Sequence, residues 1–310
     1  MIDISVVIPS YKTSFEIMEQ TIKSVLSQKF QPAEIIVIDD NGGDDYSAQK
    51  QRIQTVFGGK LQVVFNEANR GANYSRNRGV NLASSSYVAF LDSDDTWSTD
   101  YLKNVVEVIK KNNAEFVTTN YQVVHEDGIL PPTFDRVKFQ SGNISKKELF
   151  QDYVGPTSTV VISKNVIISA GLFDEQLPAR QDYDMWIRVT KKVPVYYNYN
   201  PDVKVFRVGR TTISSSYKRN IQGTKMVLEK ILKDDSLTRV EKEKIKSSHY
   251  KHMALSCILC GAYKESRAYA KQSLKIQLDK QLVVWFLLSL CPPFFNVMRM
   301  VRRHFLYKRK

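Results

Sequence analysis

The sequence predicts an α/β fold: a mainly parallel, doubly wound sheet flanked by helices over residues 1–215, then a C-terminal α-helical region over 216–310 with a basic amphipathic tail. Three observations predict it. Short β-branched runs recur at Ile4–Ile8, Ile35–Ile38, Leu61–Phe65 and Tyr87–Leu91, mostly without polar alternation, as strands buried on both faces require. Segments of helical periodicity separate these runs, the pattern of βα crossovers. Beyond residue 216 the strand patterns stop and Lys-rich amphipathic segments follow.

The first strand ends at Pro9-Ser10-Tyr11, and Thr13-x-x-Glu16 reads as a capping box for a helix burying Met18, Ile22, Val25 and Leu26. The second ends in Asp39-Asp40-Asn41, placing acids where open α/β sheets put their ligands. The third leads through Asn66 to Gly71 into a helical segment bearing Ser75, Arg76, Asn77 and Arg78. The fourth breaks abruptly into Asp92-Ser93-Asp94-Asp95. Acids so close repel one another, and a hard divalent cation with oxygen ligands answers that repulsion. In an extended chain Asp92 and Asp94 share one side; the plainer reading makes Asp95 or Ser98 a cap for the next helix.

That helix should start at Ser98 and bury Leu102, Val105, Val106 and Ile109, before a strand at Phe116–Thr119. From Gln122 to Gln151 the pattern loosens into a loop or β excursion, and Thr159–Ile162 resumes as a strand. A turn at Gly171–Glu175 leads to a helix with Met185, Trp186 and Val189 on one face and Asp182 in its first turn. Two strands, Val193–Tyr199 and Val203–Val208, are expected around Pro201. The glycine-rich signatures that cradle phosphates, G-x-G-x-x-G and G-x-x-x-x-G-K-[ST], follow none of the strands.

The composition is globular, and 45 Lys and Arg against 32 Asp and Glu give a net charge of +13. Such an excess favours a negatively charged partner without choosing among nucleic acid, membrane and phosphorylated substrate. Cys257, Cys260 and Cys291 make no disulfide framework, so a reducing, cytoplasmic setting is expected, and no signal-peptide pattern opens the chain. Cys257 and Cys260 have zinc-knuckle spacing without a second pair, and a buried helical face explains them better. Residues around Gly261–Leu274 faintly resemble one tetratricopeptide hairpin. Leu282–Cys291 is apolar but stops at Pro292-Pro293, too short to cross a bilayer. Beyond it Arg299, Arg302, Arg303, Lys308, Arg309 and Lys310 interleave with Phe305 and Tyr307, which suits an anionic membrane surface or, equally, a helix buried against the helical region or in a homo-oligomer contact.

Ile8-Pro9-Ser10-Tyr11, Ile38-Asp39-Asp40-Asn41, Asn69-Arg70-Gly71 with Ser75-Arg76-Asn77, Leu91-Asp92-Ser93-Asp94-Asp95 and Gln181-Asp182-Tyr183-Asp184-Met185-Trp186 follow in one order. Together they resemble the family 2 glycosyltransferases with the GT-A fold. The resemblance spans about residues 4 to 190 and leaves 217–310 uncovered. It implies a Rossmann-like GT-A domain, a UDP-sugar donor, a saccharide acceptor, Mn²⁺ or Mg²⁺, and inversion at the anomeric carbon. By that resemblance Pro9 and Tyr11 flank the nucleobase, Asp40 meets the uracil ring, and Arg76 lies near the base or diphosphate. Asp92 reaches the ribose or sugar, Asp94 ligates the metal, and Ser10, Asn69 and Ser93 complete the nucleotide-sugar site. Asp182 matches the general base. Gln181 stands where the family usually has Glu, and Phe206-Arg207-Val208 where many relatives carry a His. A catalytically silent sugar-nucleotide binder is the alternative, a receiver-like signalling domain a weaker one, and nucleic-acid binding is not expected.

Overall fold

The computed structural model describes residues 2–42, 61–136, 139–207 and 217–290 with positions 53, 55, 56 and 59. The basic tail, Cys291, Gly43, Gly58 and Val208–Arg210 fall outside the described residues. The chain forms two compact units. The first takes Met1–Ser145, Tyr153–Glu175 and Asp182–Val208, and the second takes Lys146–Asp152, Gln176–Gln181 and Gly209–Lys310.

In the first unit the chain runs β1 (Ile4–Ser10), α1 (Phe15–Leu26), β2 (Glu34–Asp39), β3 (Leu61–Phe65), α2 (Ala72–Leu82), β4 (Tyr87–Phe90), β5 (Thr96–Trp97) and α3 (Tyr101–Asn112). It continues through β6 (Phe116–His125), β7 (Gly128–Ile129), the single turn α4 (Thr133–Arg136), the turn α5 (Ser145–Glu148), whose Lys146–Glu148 belong to the second unit, then β8 (Val160–Ser163), α6 (Lys164–Ser169), α7 (Gln181–Thr190) and β9 (Tyr196–Phe206). Among the described residues the sheet order is β3-β2-β1-β4-β8-β6-β9-β5, with β7 on β6. The strands from β3 to β4 are parallel, β8 is antiparallel to both neighbours, and β6 and β9 are parallel. Strand order reverses between β1 and β4, and a crevice opens at such a reversal beyond the carboxyl ends of the strands.

Alternation along β1 explains the two-sided core. Val6 and Ile8 pack with Met18, Ile22 and Val25 of α1 and with Leu102, Val105 and Ile109 of α3. Val7 faces the other way, among Val80 of α2 and Met185 and Trp186 of α7.

Three local expectations are corrected. Thr13 does not cap α1, which begins at Phe15 after Ser14 with no side-chain cap; its hydroxyl pairs with Ser93 Oγ at 2.7 Å. Neither Asp95 nor Ser98 caps α3: Asp100 occupies that position, and Ser98 Oγ donates to Asp202 Oδ1 at 2.6 Å. The two strands expected around Pro201 are one, β9, whose pairing with β6 shifts register between Thr119 and Tyr121. Proline has no N–H for a ladder and is tolerated in such a bulge.

The second unit is helical: α8 (Tyr217–Leu232), α9 (Arg239–Leu259), α10 (Tyr263–Ile276) and α11 (Lys280–Leu288). Thr238 and Glu241 form a reciprocal capping box at the start of α9. Ser247 Oγ donates to the Ser273 carbonyl at 3.1 Å and Ser266 Oγ to the Ala254 carbonyl at 2.8 Å. Partners that ascend one helix and descend the other make α9 and α10 an antiparallel hairpin. Cys257 is buried beside Ile221 and Met253, and burial pushes its thiol up to about 11; Cys260 is exposed, and neither is in a disulfide. No described helix is long and apolar enough to cross a membrane.

Candidate active site

The carboxyl ends of β1, β2 and β4 converge. Ser10 lies in register with Asp39, Asp40 N–H donates to the Ser10 carbonyl at 2.8 Å, and Leu91 N–H donates to the Val7 carbonyl at 3.0 Å. The loops that leave these strands therefore share one rim.

On the β2 side, Pro9 and Ser10 are buried in the strand while Tyr11 projects into solvent, with Lys12 Nζ 5.2 Å from its ring centroid. Asn41 Oδ1 accepts from Lys12 N–H at 2.8 Å, and Asn41 donates twice to Asp39 Oδ1, at 2.9 and 2.7 Å. Desolvation raises the Asp39 carboxyl above the usual range, against the lowering effect of the Asn41 bonds. Asp40 is turned inward. Its oxygens accept from Asn66 Nδ2 at 2.7 Å, Arg70 N–H at 2.8 Å and Gly71 N–H at 2.7 Å, and the residue is 2% exposed. Through these bonds Asp40 pins the Asn69–Gly71 turn that starts α2. Gly71 adopts φ 87° there, a conformation that favours glycine. Asn69 is exposed on this turn, and Arg70 lies over the Tyr74 ring at 4.5 Å.

On the β4 side, burial alternates residue by residue. Leu91, Ser93, Asp95 and Trp97 are buried, whereas Asp92, Asp94 and Thr96 are half-buried; β4 has ended at Phe90, and Asp92 to Asp95 form a turn closed by Asp95 N–H donating to the Asp92 carbonyl at 3.0 Å, so a turn and not an extended strand leaves Asp92 and Asp94 partly open. Ser93 is buried, its hydroxyl pairing with Thr13 and its carbonyl accepting from Thr21 Oγ1 at 3.0 Å. Asp95 is 3% exposed, held by Ser158 Oγ at 2.5 Å and Phe206 N–H at 3.0 Å. Desolvation first, then the charges of Asp92 and Asp94, raise its carboxyl well above the ordinary value. Asp92 Oδ1 accepts from Arg76 Nη2 at 2.6 Å, with Thr157 Oγ1 at 3.3 Å. Arg76 is itself buried, its guanidinium 5.7 Å from the Phe173 ring centroid.

Asp182 stands half-buried in the first turn of α7, where Oδ1 accepts from Tyr183 N–H at 2.8 Å. Asp184, buried two residues on, is committed to Arg188 Nη2 at 2.7 Å. Trp186, one turn after Asp182, donates Nε1–H to the Gly155 carbonyl at 2.9 Å and packs 6.0 Å from Phe173. The turn that holds Gly155 also carries Thr157 and Ser158, so α7 and the acid cluster brace on one loop and one ring.

Sequence reasoning did not single out Thr157, Ser158 or the Phe206 backbone. Gly155-Pro156-Thr157-Ser158-Thr159 carries a turn signal with three hydroxyls immediately before a strand, a cue available in the sequence. Among the described residues no group of three His, Cys, Asp or Glu could by itself hold a metal ion. Asp92 and Asp94 nonetheless suit Mg²⁺ or Mn²⁺, because a hard cation of that kind takes one or two carboxylates and completes its shell from water and substrate phosphates.

The Glycosyl transferase family 2 model matches residues 5–177. The chain is 26% identical over 214 residues to the Escherichia coli UDP-Glc:alpha-D-GlcNAc-diphosphoundecaprenol beta-1,3-glucosyltransferase WfgD, covering 69% of this chain and 80% of that one. It is 25% identical over 296 residues to the Campylobacter jejuni GalNAc(5)-diNAcBac-PP-undecaprenol beta-1,3-glucosyltransferase, covering 93% and 94%. Crystalline S. aureus TarS 1-349 in complex with UDP-GlcNAc superimposes with a TM-score of 0.67 at 16% identity, over 99% of this chain and 93% of that 1-349 chain.

Proposed function

Since the chain belongs to glycosyl transferase family 2 and is a glycosyltransferase with the GT-A fold, we propose that it moves a hexose from a UDP-sugar to a hydroxyl of a growing bacterial surface glycan, with inversion. The observation that carries this reading is the pairing of two outward carboxylates, Asp92 and Asp94, at the strand-order reversal with a third, Asp182, on a helix braced to the same loop. The glucosyltransferase names of the E. coli and C. jejuni relatives and the sugar nucleotide in TarS support the donor class. The same names support a lipid-linked saccharide acceptor.

The chemistry asks two things of the chain. Asp182 takes the proton of the acceptor hydroxyl through Oδ2, since Oδ1 is turned to Tyr183 N–H. The hydroxyl oxygen then bonds to the anomeric carbon as the bond to the diphosphate oxygen breaks, on opposite faces of the sugar. Arg76 keeps Asp92 aimed by its charge-assisted bond, and Tyr11 offers an aromatic surface to the base. Asp94, with Asp92, would hold a divalent cation, which when bound supplies positive charge for the departing diphosphate.

A screen of nucleotide sugars for Mn²⁺-dependent UDP release, repeated with saccharide acceptors, tests the reading. Asp94→Ala should weaken UDP affinity measured by calorimetry with Mn²⁺ present while leaving metal-free affinity unchanged. Equal affinity in both proteins with Mn²⁺ would remove Asp94 from the site.

A further inference from the structure

Helix α11 is the last helix among the described residues of the second unit, with one face inward and one outward. Leu282 is buried against Ala254 and Ala270, with Phe286 packed beside it. A helix turning 100° per residue puts Val284, Leu287 and Leu288 on the side away from Leu282. Val284 is 52% exposed and Leu287 57%; Leu290, just past the helix, is 58% exposed and Leu278, just before it, 75%. Neighbouring aliphatic side chains left open to water on one short helix cost free energy that a soluble monomer has no reason to keep.

The charge carried by this end of the sequence says what covers it. Residues 261–310 hold eleven Lys and Arg against two Asp and Glu, so nine of the chain's thirteen net positive charges lie in its last fifty residues. Lys264, Lys271, Lys275 and Lys280 of this stretch are exposed on α10 and α11. A second protein copy would bring the same excess and repel it, and nucleic acid would answer the charge but leave the aliphatic face wet. An anionic phospholipid surface satisfies both, with aliphatic side chains at the acyl boundary and lysines at the headgroups. We infer that the outward face of α11, with the lysines around it, lies in the plane of an anionic membrane and holds the protein there by insertion and charge together. The inference stands apart from the proposed reaction, because vesicle binding needs neither donor nor acceptor.

Flotation with vesicles of phosphatidylglycerol and phosphatidylcholine, against pure phosphatidylcholine, tests it on the full chain. The expected result is binding to the anionic vesicles at least tenfold tighter than to the neutral ones and weakened by added salt, which screens the attraction between surface charges. The double variant Val284→Glu/Leu287→Glu should bind at least tenfold more weakly, with an unchanged circular dichroism melt. Two results would overturn the inference: variant binding equal to that of the parent, or a parental dimer in light scattering that the variant dissolves while vesicle binding persists.

Discussion

Ser158 has no chemistry of its own, yet two elements of the site depend on it. Its hydroxyl donates to the buried Asp95 and accepts from Asp92 N–H at 3.1 Å. Ser158→Ala leaves a buried carboxyl oxygen without that donor, so denaturant unfolding should show a loss of about 1–3 kcal/mol. Turnover should fall with it as Asp92 and Asp94 lose their footing. A variant as stable as the parent would mean that Asp95 is held by Phe206 alone.

His249 gives the second unit a pH dependence. Buried on α9, its Nδ1–H donates to the Ile245 carbonyl at 2.9 Å, and desolvation lowers its pKa from 6.5 to about 4. The unfolded chain thus binds the proton in a range where the folded one refuses it. The contribution is complete above pH 6.5 and is lost as the pH falls through about 4, up to about 3 kcal/mol for a shift of this size. Thermal melts between pH 7.5 and 4.5 should drop more steeply for the parent than for His249→Gln, and parallel curves would refute the assignment.

At the scale of elements, α2 is set onto the sheet by a missing side chain. A Cβ at Gly79 would lie 2.3 Å from Val7 Cγ1 in β1, so the helix reaches its depth only because that atom is absent. Gly79→Ala gains helix propensity of about 1 kcal/mol but overpacks the contact at a cost of about 1–3 kcal/mol, and the net should be a lower midpoint in denaturant. Because α2 carries Arg76, a displaced helix should also raise the KM for donor; an unchanged midpoint and KM would show that the helix can shift freely. Gly223 of α8 is tighter still, with the Ala179 carbonyl oxygen 2.2 Å from where its Cβ would sit. A backbone oxygen yields less readily than a valine methyl.

The elements themselves were largely legible, because burial on both faces writes unbroken runs such as Ile35–Ile38, and a buried helical face writes Leu102, Val105, Val106 and Ile109. The two-residue repeat expected at Asp92 and Asp94 gives way to a turn, because β4 stops at Phe90 and Asp95 N–H bonds back to the Asp92 carbonyl. What local pattern could not give was pairing across the chain. Thr13 looked like a cap because its partner, Ser93, lies 80 residues away, and Pro201 looked like a break because the bulge opposite Asn120 is set by β6. Likewise nothing beside Asp40 in the sequence announces that the Arg70 and Gly71 N–H groups will bond to its oxygens.

At the scale of the whole molecule, the two units divide sequence character as well as space. The family model ends at residue 177, and the motif that bears Asp182 begins just after it. The C. jejuni relative nevertheless aligns over 93% of this chain, helical region included. A strongly positive second unit and a first unit with clustered carboxylates give the two units opposite character. All of this turns on Asp182 acting as the proton acceptor. The direct measurement is acceptor-dependent UDP release by Asp182→Asn beside the parent, with donor affinity taken on the same samples. Turnover should fall by about 10²–10⁴-fold with donor affinity unchanged; transfer at the parental rate would contradict the account.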